Sequence, residues 1–150
     1  MDSSGVHTII TAIVGIKPGS VDKLRAVLAH LGDPSRVSPI TLISTIHFAR
    51  WVIIDNDTRL LFTSNFDGSW DDYIDEFIEK AADGLDAIWS NCEGFPDGGS
   101  RNRDAFKAYV RGHQFTADLF YSAYPDATVK NIGKALRVEK SFEDLLDAMQ

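Results

Sequence analysis

The feature that most constrains this chain is a pair of β-branched and aromatic runs set back to back around a turn. Thr41 to Ile54 is rich in Ile, Val, Thr, Phe and Trp, Asp55-Asn56-Asp57 follows, and Arg59 to Phe66 returns with the same character. These residue types fit a pleated, half-buried surface, and Asp and Asn tolerate turn backbones, so the stretch predicts a β-hairpin. A hairpin in water must bury one face against something else. The flanking segments say what that is.

On the N-terminal side, His7 to Ile16 reads as a buried strand ending at Lys17-Pro18-Gly19. Ser20 is placed to cap a helix carrying Val21, Leu24, Val27, Leu28 and Leu31 on one face, with Gly32 as its stop. Asp33 to Pro39 reads as a loop. After the hairpin, Ser69 with Asp72 approximates a capping box, and Trp70, Tyr73, Ile74, Phe77, Ile78 and Ala81 form an apolar stripe ending at Gly84. Leu85 to Cys92 suits a short second helix and Arg103 to Arg111 a third. Ala117 to Tyr124 reads as a fourth strand, closed by Pro125-Asp126, with two helical pieces after it, the second capped by Ser141 and Asp144. The order is β-α-β-β-α-β with extra helices, an α+β, ferredoxin-like arrangement in one domain spanning residues 1–150. Helices would cover one face of a four-stranded antiparallel sheet and leave the other open. A second copy is the expected cover for that open face, giving a homodimer.

The composition of the 150 residues, 44% hydrophobic and 25% charged, is that of an ordinary globular chain. Fifteen basic and 22 acidic residues leave a net charge of −7, which argues against general nucleic-acid or anionic-membrane affinity. Ile9 to Ile16 is too short to span a bilayer and has no basic residue before it, so a cytoplasmic protein is expected. The acids cluster: Asp67 to Asp97 holds ten against the single base Lys80, whereas Arg101 to Lys140 holds eight bases against four acids. A solvated acidic helix face is the plainer reading of that asymmetry, self-association or docking the sharper one.

Alternation within the hairpin places His47, Ala49, Trp51 and Ile53 on one side and Phe48, Arg50, Val52 and Ile54 on the other. With a two-residue loop at Asn56-Asp57, Arg50 faces Thr63, Phe48 faces Asn65, and Asp67 follows on the same face. Arg50, Asn65 and Asp67 would then converge on an apolar surface, as the few placed polar groups of a small-molecule pocket do. Arg50 could pair with a ligand carboxylate and Asn65 could orient a carbonyl. The plainer alternative is a structural Arg50–Asp67 ion pair. His47 falls with Trp51, Phe62 and Phe66 on the side expected to pack against helices, where it is either a core residue or a ligand or base. Tyr121 and Tyr124 are either core or cavity-lining.

His7 and His30 have no partner at metal-ligand spacing, no Cys/His or two-His-one-carboxylate pattern appears in the sequence, and no metal site is expected. Cys92 has no basic neighbour to activate it and reads as a small apolar residue; alone, it rules out an internal disulfide. Nucleotide-binding and nucleophile-elbow motifs are missing, so the residues leave open whether the chain is an enzyme.

The strings His47-Phe48-Ala49-Arg50-Trp51, Ser64-Asn65-Phe66-Asp67-Gly68-Ser69-Trp70, Gly84-Leu85-Asp86-Ala87-Ile88-Trp89-Ser90-Asn91 and Tyr121-Ser122-Ala123-Tyr124-Pro125-Asp126 resemble a group of largely uncharacterised bacterial proteins. The topology is similar to that of the dimeric α+β barrel superfamily, which includes cofactor-independent oxygenases and haem peroxidases. That resemblance implies a pocket on the open sheet face for a small apolar or carboxylate-bearing ligand, with oxygenase or peroxidase chemistry. A non-catalytic dimerisation, scaffold or accessory domain is the alternative. No cofactor is predicted outright, with haem held open. His113 is the one histidine in the later half of the chain and so the candidate for an axial ligand.

Overall fold

The computed structural model describes residues 2–150. Its centre is an antiparallel sheet of four strands: β1 (Ser3–Ser4), β2 (His7–Gly15), β3 (Ile46–Ile54) and β4 (Arg59–Asp67), in the order β1-β2-β4-β3. Four helices accompany it: α1 (Val21–Leu31), α2 (Trp70–Trp89), α3 (Arg103–His113) and α4 (Val129–Ala148). The architecture is α+β with an open antiparallel sheet, compatible with a ferredoxin-like βαββαβ fold.

The hairpin register is the one its sequence predicts. Arg50 pairs with Thr63 and Phe48 with Asn65. The connecting loop is longer than the two residues expected, covering 55–58, and Asp55, Asn56 and Asp57 all take positive φ. Because that loop stays centred on the same pair of residues, lengthening it leaves every cross-strand partner unchanged. β3 itself starts later than expected: Pro39–Leu42 forms a 3₁₀ turn, its Pro fixing φ at the turn's start.

The segment Ala117 to Tyr124 is not a strand. Just before it, Gln114, through a single bridge to Ala12, and the Phe115 amide, bonded to the Thr11 carbonyl, reach the free edge of β2. The two residues of β1 complete that edge, pairing Ser3 with Thr8 and Ser4 with His7. The chain turns into β2 at Gly5, whose φ is +60° and where a Cβ would lie 2.0 Å from the Pro125 carbonyl oxygen. Only glycine fits so close an approach. The Val6 amide donates to that same oxygen, so β1 and Pro125 hold each other in place.

Side chains at alternate positions of β2 and β4, Ile10, Ala12 and Val14 with Leu60, Phe62 and Phe66, form the helix-covered face and are buried with Leu24, Phe77, Leu85, Ile88 and Phe106. Phe66 stacks on Tyr73 at 3.7 Å between centroids, and the Tyr73 hydroxyl shares a 2.6 Å hydrogen bond with Ser64 at the same depth. α2 begins at Ser69, whose hydroxyl accepts from the Asp72 amide as the capping pattern predicts. It runs on through Gly84, and its two helical pieces meet instead at a kink at Ala81, where φ is −138° and ψ 23°. Leu85, Ile88 and Trp89 continue its buried stripe, and packing overrides the weak helix preference of one glycine.

The acidic face of α2 is not simply solvated. Lys107 bridges Asp71 and Asp75, Arg103 reaches Asp75, and Arg111 reaches Asp71 while its guanidinium lies 4.1 Å from the Trp70 ring. The charge asymmetry of the sequence is thus met inside the molecule, α2 against α3. The Arg111–Asp71 pair is exposed and contributes modestly, roughly 0–1 kcal/mol, whereas the Lys107–Asp75 pair is half-buried. The tail is one helix, not two pieces. Ser141 lies inside α4, whose true start is a capping box between Thr128 and Asn131. No helix among the described residues is long and apolar enough to cross a membrane.

Candidate functional site

At the end of the sheet where β2 starts and β4 finishes, antiparallel pairing sets His7 directly opposite Asp67. Both belong to the face away from the buried helices. His47 joins them through a β-bulge. Ile46 pairs with Phe66 and Phe48 with Asn65, which leaves His47 as the extra residue. A bulge re-aims the side chain it carries. His47 is therefore not in the helix-packing layer with Trp51 and Phe62; it turns to the opposite side, where its Nε2 lies 2.7 Å from Asp67 Oδ1.

Asp67 is held from two directions. Oδ1 accepts from His47, and Oδ2 accepts from the Val129 amide at 2.7 Å, the first residue of α4. A carboxylate at a helix N-terminus meets both an unpaired N–H and the positive end of the helix dipole. The carboxylate so fastens α4 to the sheet. His7 Nε2 donates to the Ala127 carbonyl at 2.8 Å and lies 3.7 Å from Asp67 Oδ1. Its Nδ1 is 2.9 Å from the Ser122 hydroxyl. That hydroxyl also accepts from the Tyr124 amide at 3.2 Å, and because the Ala127 carbonyl can only accept, Nε2 of His7 carries a proton. The two imidazole rings meet edge to face at 4.6 Å.

These histidines border a cavity of about 600 Å³. Asn65 and Ser122 add polar groups, and Ile46, Val129 and Ile132 add apolar wall. Phe48, Tyr121, Tyr124 and Leu136 form an exposed rim. Val129, Ile132, Gly133 and Leu136 recur at helical spacing, so one face of the first turns of α4 closes the cavity. The open sheet face expected from sequence is thus covered, at this end, by the chain's own residues from 120 to 136.

Of the residues singled out from sequence, the structure brings His47, Asn65 and Asp67 together. Arg50 shares their face but does not line the cavity; its Nε donates to the Thr63 hydroxyl at 3.0 Å, and the Arg50–Asp67 ion pair does not form. His113 lies across the sheet from the rest. Its Nδ1 donates to the Tyr109 carbonyl one turn back, and it borders a space of only about 30 Å³ among Phe62, Trp89 and Tyr109. That space admits about one water and no porphyrin, so haem does not fit at His113. Cys92 is fully buried, and burial pushes its thiol up to about 12, well away from nucleophile chemistry.

His7 is the residue that sequence reasoning passed over. The signal was present: a histidine beginning an otherwise apolar strand falls on the Ile9, Thr11 face, and a central antiparallel partner must bring something opposite it. What was hidden is the pairing of β2 with β4, a contact between residues sixty positions apart. Compared with known proteins, the chain matches no family model, no curated protein and no solved structure.

Proposed function

We propose that this domain binds a small, largely apolar organic molecule bearing a carboxylate or other polar group, held in the cavity between the sheet and the start of α4. The observation that carries this reading is a cavity of about 600 Å³ whose walls are mostly apolar and whose polar groups are few: Asn65, and the two imidazoles with Ser122, which touch one another. Ligand sites have that size and that division of labour. Oxygenase or peroxidase chemistry on such a molecule is the finer form of the same proposal, with His47 the imidazole best placed to touch it.

A direct test uses an anilinonaphthalene sulfonate dye, apolar with one anionic group, as the probe. Gly133 lines the cavity, and within a helix a leucine is preferred to glycine by somewhat under 1 kcal/mol. Gly133→Leu therefore fills the space without loosening the fold. Saturable dye binding to the wild type, weakened at least tenfold in Gly133→Leu, is the expected result. Equal binding by both proteins would show that the dye, and the reading, have the wrong place.

A second reading follows from the far half of α4 and its C-cap, where Val138, Phe142, Leu145, Leu146 and Met149 are all exposed. These residues make an apolar surface of the kind that a second copy covers, and Phe48 on the sheet is likewise 75% exposed. A homodimer built this way would serve a scaffold or accessory role without catalysis. Light scattering on the eluting protein decides it: a monomer at micromolar concentration removes the dimer and leaves the cavity untouched.

A further inference from the structure

We propose that His7, His47 and Asp67 form a three-ligand site for a first-row divalent cation, seated at the polar end of the cavity. One donor atom from each of the three lies within 4.8 Å of the other two. Their side chains are only 9%, 11% and 11% exposed, and they come from three different strands, so the sheet fixes their relative positions.

The separations suit a shared cation. Two donors each ~2.1 Å from one ion and at a right angle are about 3 Å apart. His47 Nε2 lies 2.7 Å and His7 Nε2 3.7 Å from the same oxygen, Asp67 Oδ1. His47 Nε2 is hydrogen-bonded to that oxygen, and His7 Nε2, bonded to the Ala127 carbonyl, stands near enough for one ion to be shared by all three. Two neutral imidazoles and one carboxylate carry one negative charge together, which suits a divalent ion. Two histidines and a carboxylate on one side of an ion also leave its remaining positions open, here toward the cavity.

The atoms turned away from the cluster are anchored in the way that metal ligands are. His7 Nδ1 is held by the Ser122 hydroxyl, and Asp67 Oδ2 by the Val129 amide. Without the cation, His7 Nε2–H donates to the Ala127 carbonyl. On binding, the ion takes the place of that proton, the ring carries its proton on Nδ1 instead, where the Ser122 hydroxyl accepts it, and the carbonyl, 2.8 Å from Nε2, is left within reach as a further oxygen donor.

This inference rests on the cavity being the binding site only for what the ion's open positions would face. Its test needs no substrate. Tag-free protein stripped with EDTA is titrated with Co²⁺, followed by visible absorption, and with Zn²⁺, followed by calorimetry. One equivalent per chain is expected. His47→Ala and His7→Ala should each weaken uptake by more than the ~10–100-fold that a supporting residue costs. Ser122→Ala keeps all three ligands and should fall within that ~10–100-fold range, while His113→Ala should bind as the wild type does. Far-UV circular dichroism confirms which variants are folded. Absence of saturable uptake by the wild type, or unchanged uptake by folded His47→Ala, overturns the site. Dye binding measured on the same samples separates the two proposals. Dye without cation removes the metal and keeps the cavity, whereas cation without dye removes the cavity as the organic site and keeps the metal.

Discussion

The two faces of the one sheet are built from the same three long strands and have opposite tasks. Toward the helices point Ile10, Ala12, Val14, Leu60, Phe62 and Phe66, every one buried. Toward the other side point His7, Thr11, Thr63, Asn65 and Asp67, joined by His47 through its bulge, while Arg50 and Phe48 stand exposed beside them. Strand alternation gives both sets from one stretch of sequence. The difference teaches where folding free energy is concentrated. With the core closed on one side, the other side can hold histidines and a carboxylate at modest cost to stability.

Three substitutions would break or sharpen that division. Phe66→Ala should have the largest effect, removing a fully buried ring stacked on Tyr73 and costing about 3–5 kcal/mol in urea unfolding. A loss below ~1 kcal/mol would mean that the helix side is not the seat of stability. Tyr73→Phe comes next. It leaves the Ser64 hydroxyl, 1% exposed, without its partner, and should cost about 1–3 kcal/mol. Restoring most of that loss in a Tyr73→Phe, Ser64→Ala double variant would confirm that the cost is an unpaired buried group. Arg50→Ala should have the smallest effect, within ~0.5 kcal/mol, because its bond to Thr63 is exposed. Its dye affinity should match the wild type. Lost affinity instead would extend the binding surface along the strand from Phe48 to Arg50.

Much of the fold was legible because it is written in local periodicities. The hairpin, the caps at Ser69, and the stripes of α1 and α2 are short-range signals with direct physical causes. Ala117 to Tyr124 misled because aromatic and apolar residues that suit a strand also suit a cavity rim, and periodicity cannot tell the two apart. There, Tyr121 and Tyr124 stand over the sheet rather than joining it. The hairpin register correctly brought Asn65 and Asp67 to one face. It misplaced His47 because a bulge is one residue out of step, and no local pattern in His47-Phe48-Ala49-Arg50 announces it. His113 drew attention by its position in the chain, yet its proton is bonded within its own helix.

By itself, then, the sequence determined the class of fold, the pairing of β3 with β4, and the side of the sheet on which Asn65 and Asp67 fall. These follow from residue-by-residue preferences and from the period of two along a strand. Only the tertiary structure decided that His7 sits across from Asp67, that the bulge swings His47 to them, and that α4 closes the space above. Those facts depend on contacts between residues 20 to 120 positions apart. Such contacts form because the whole sheet assembles cooperatively, and no window of sequence contains them.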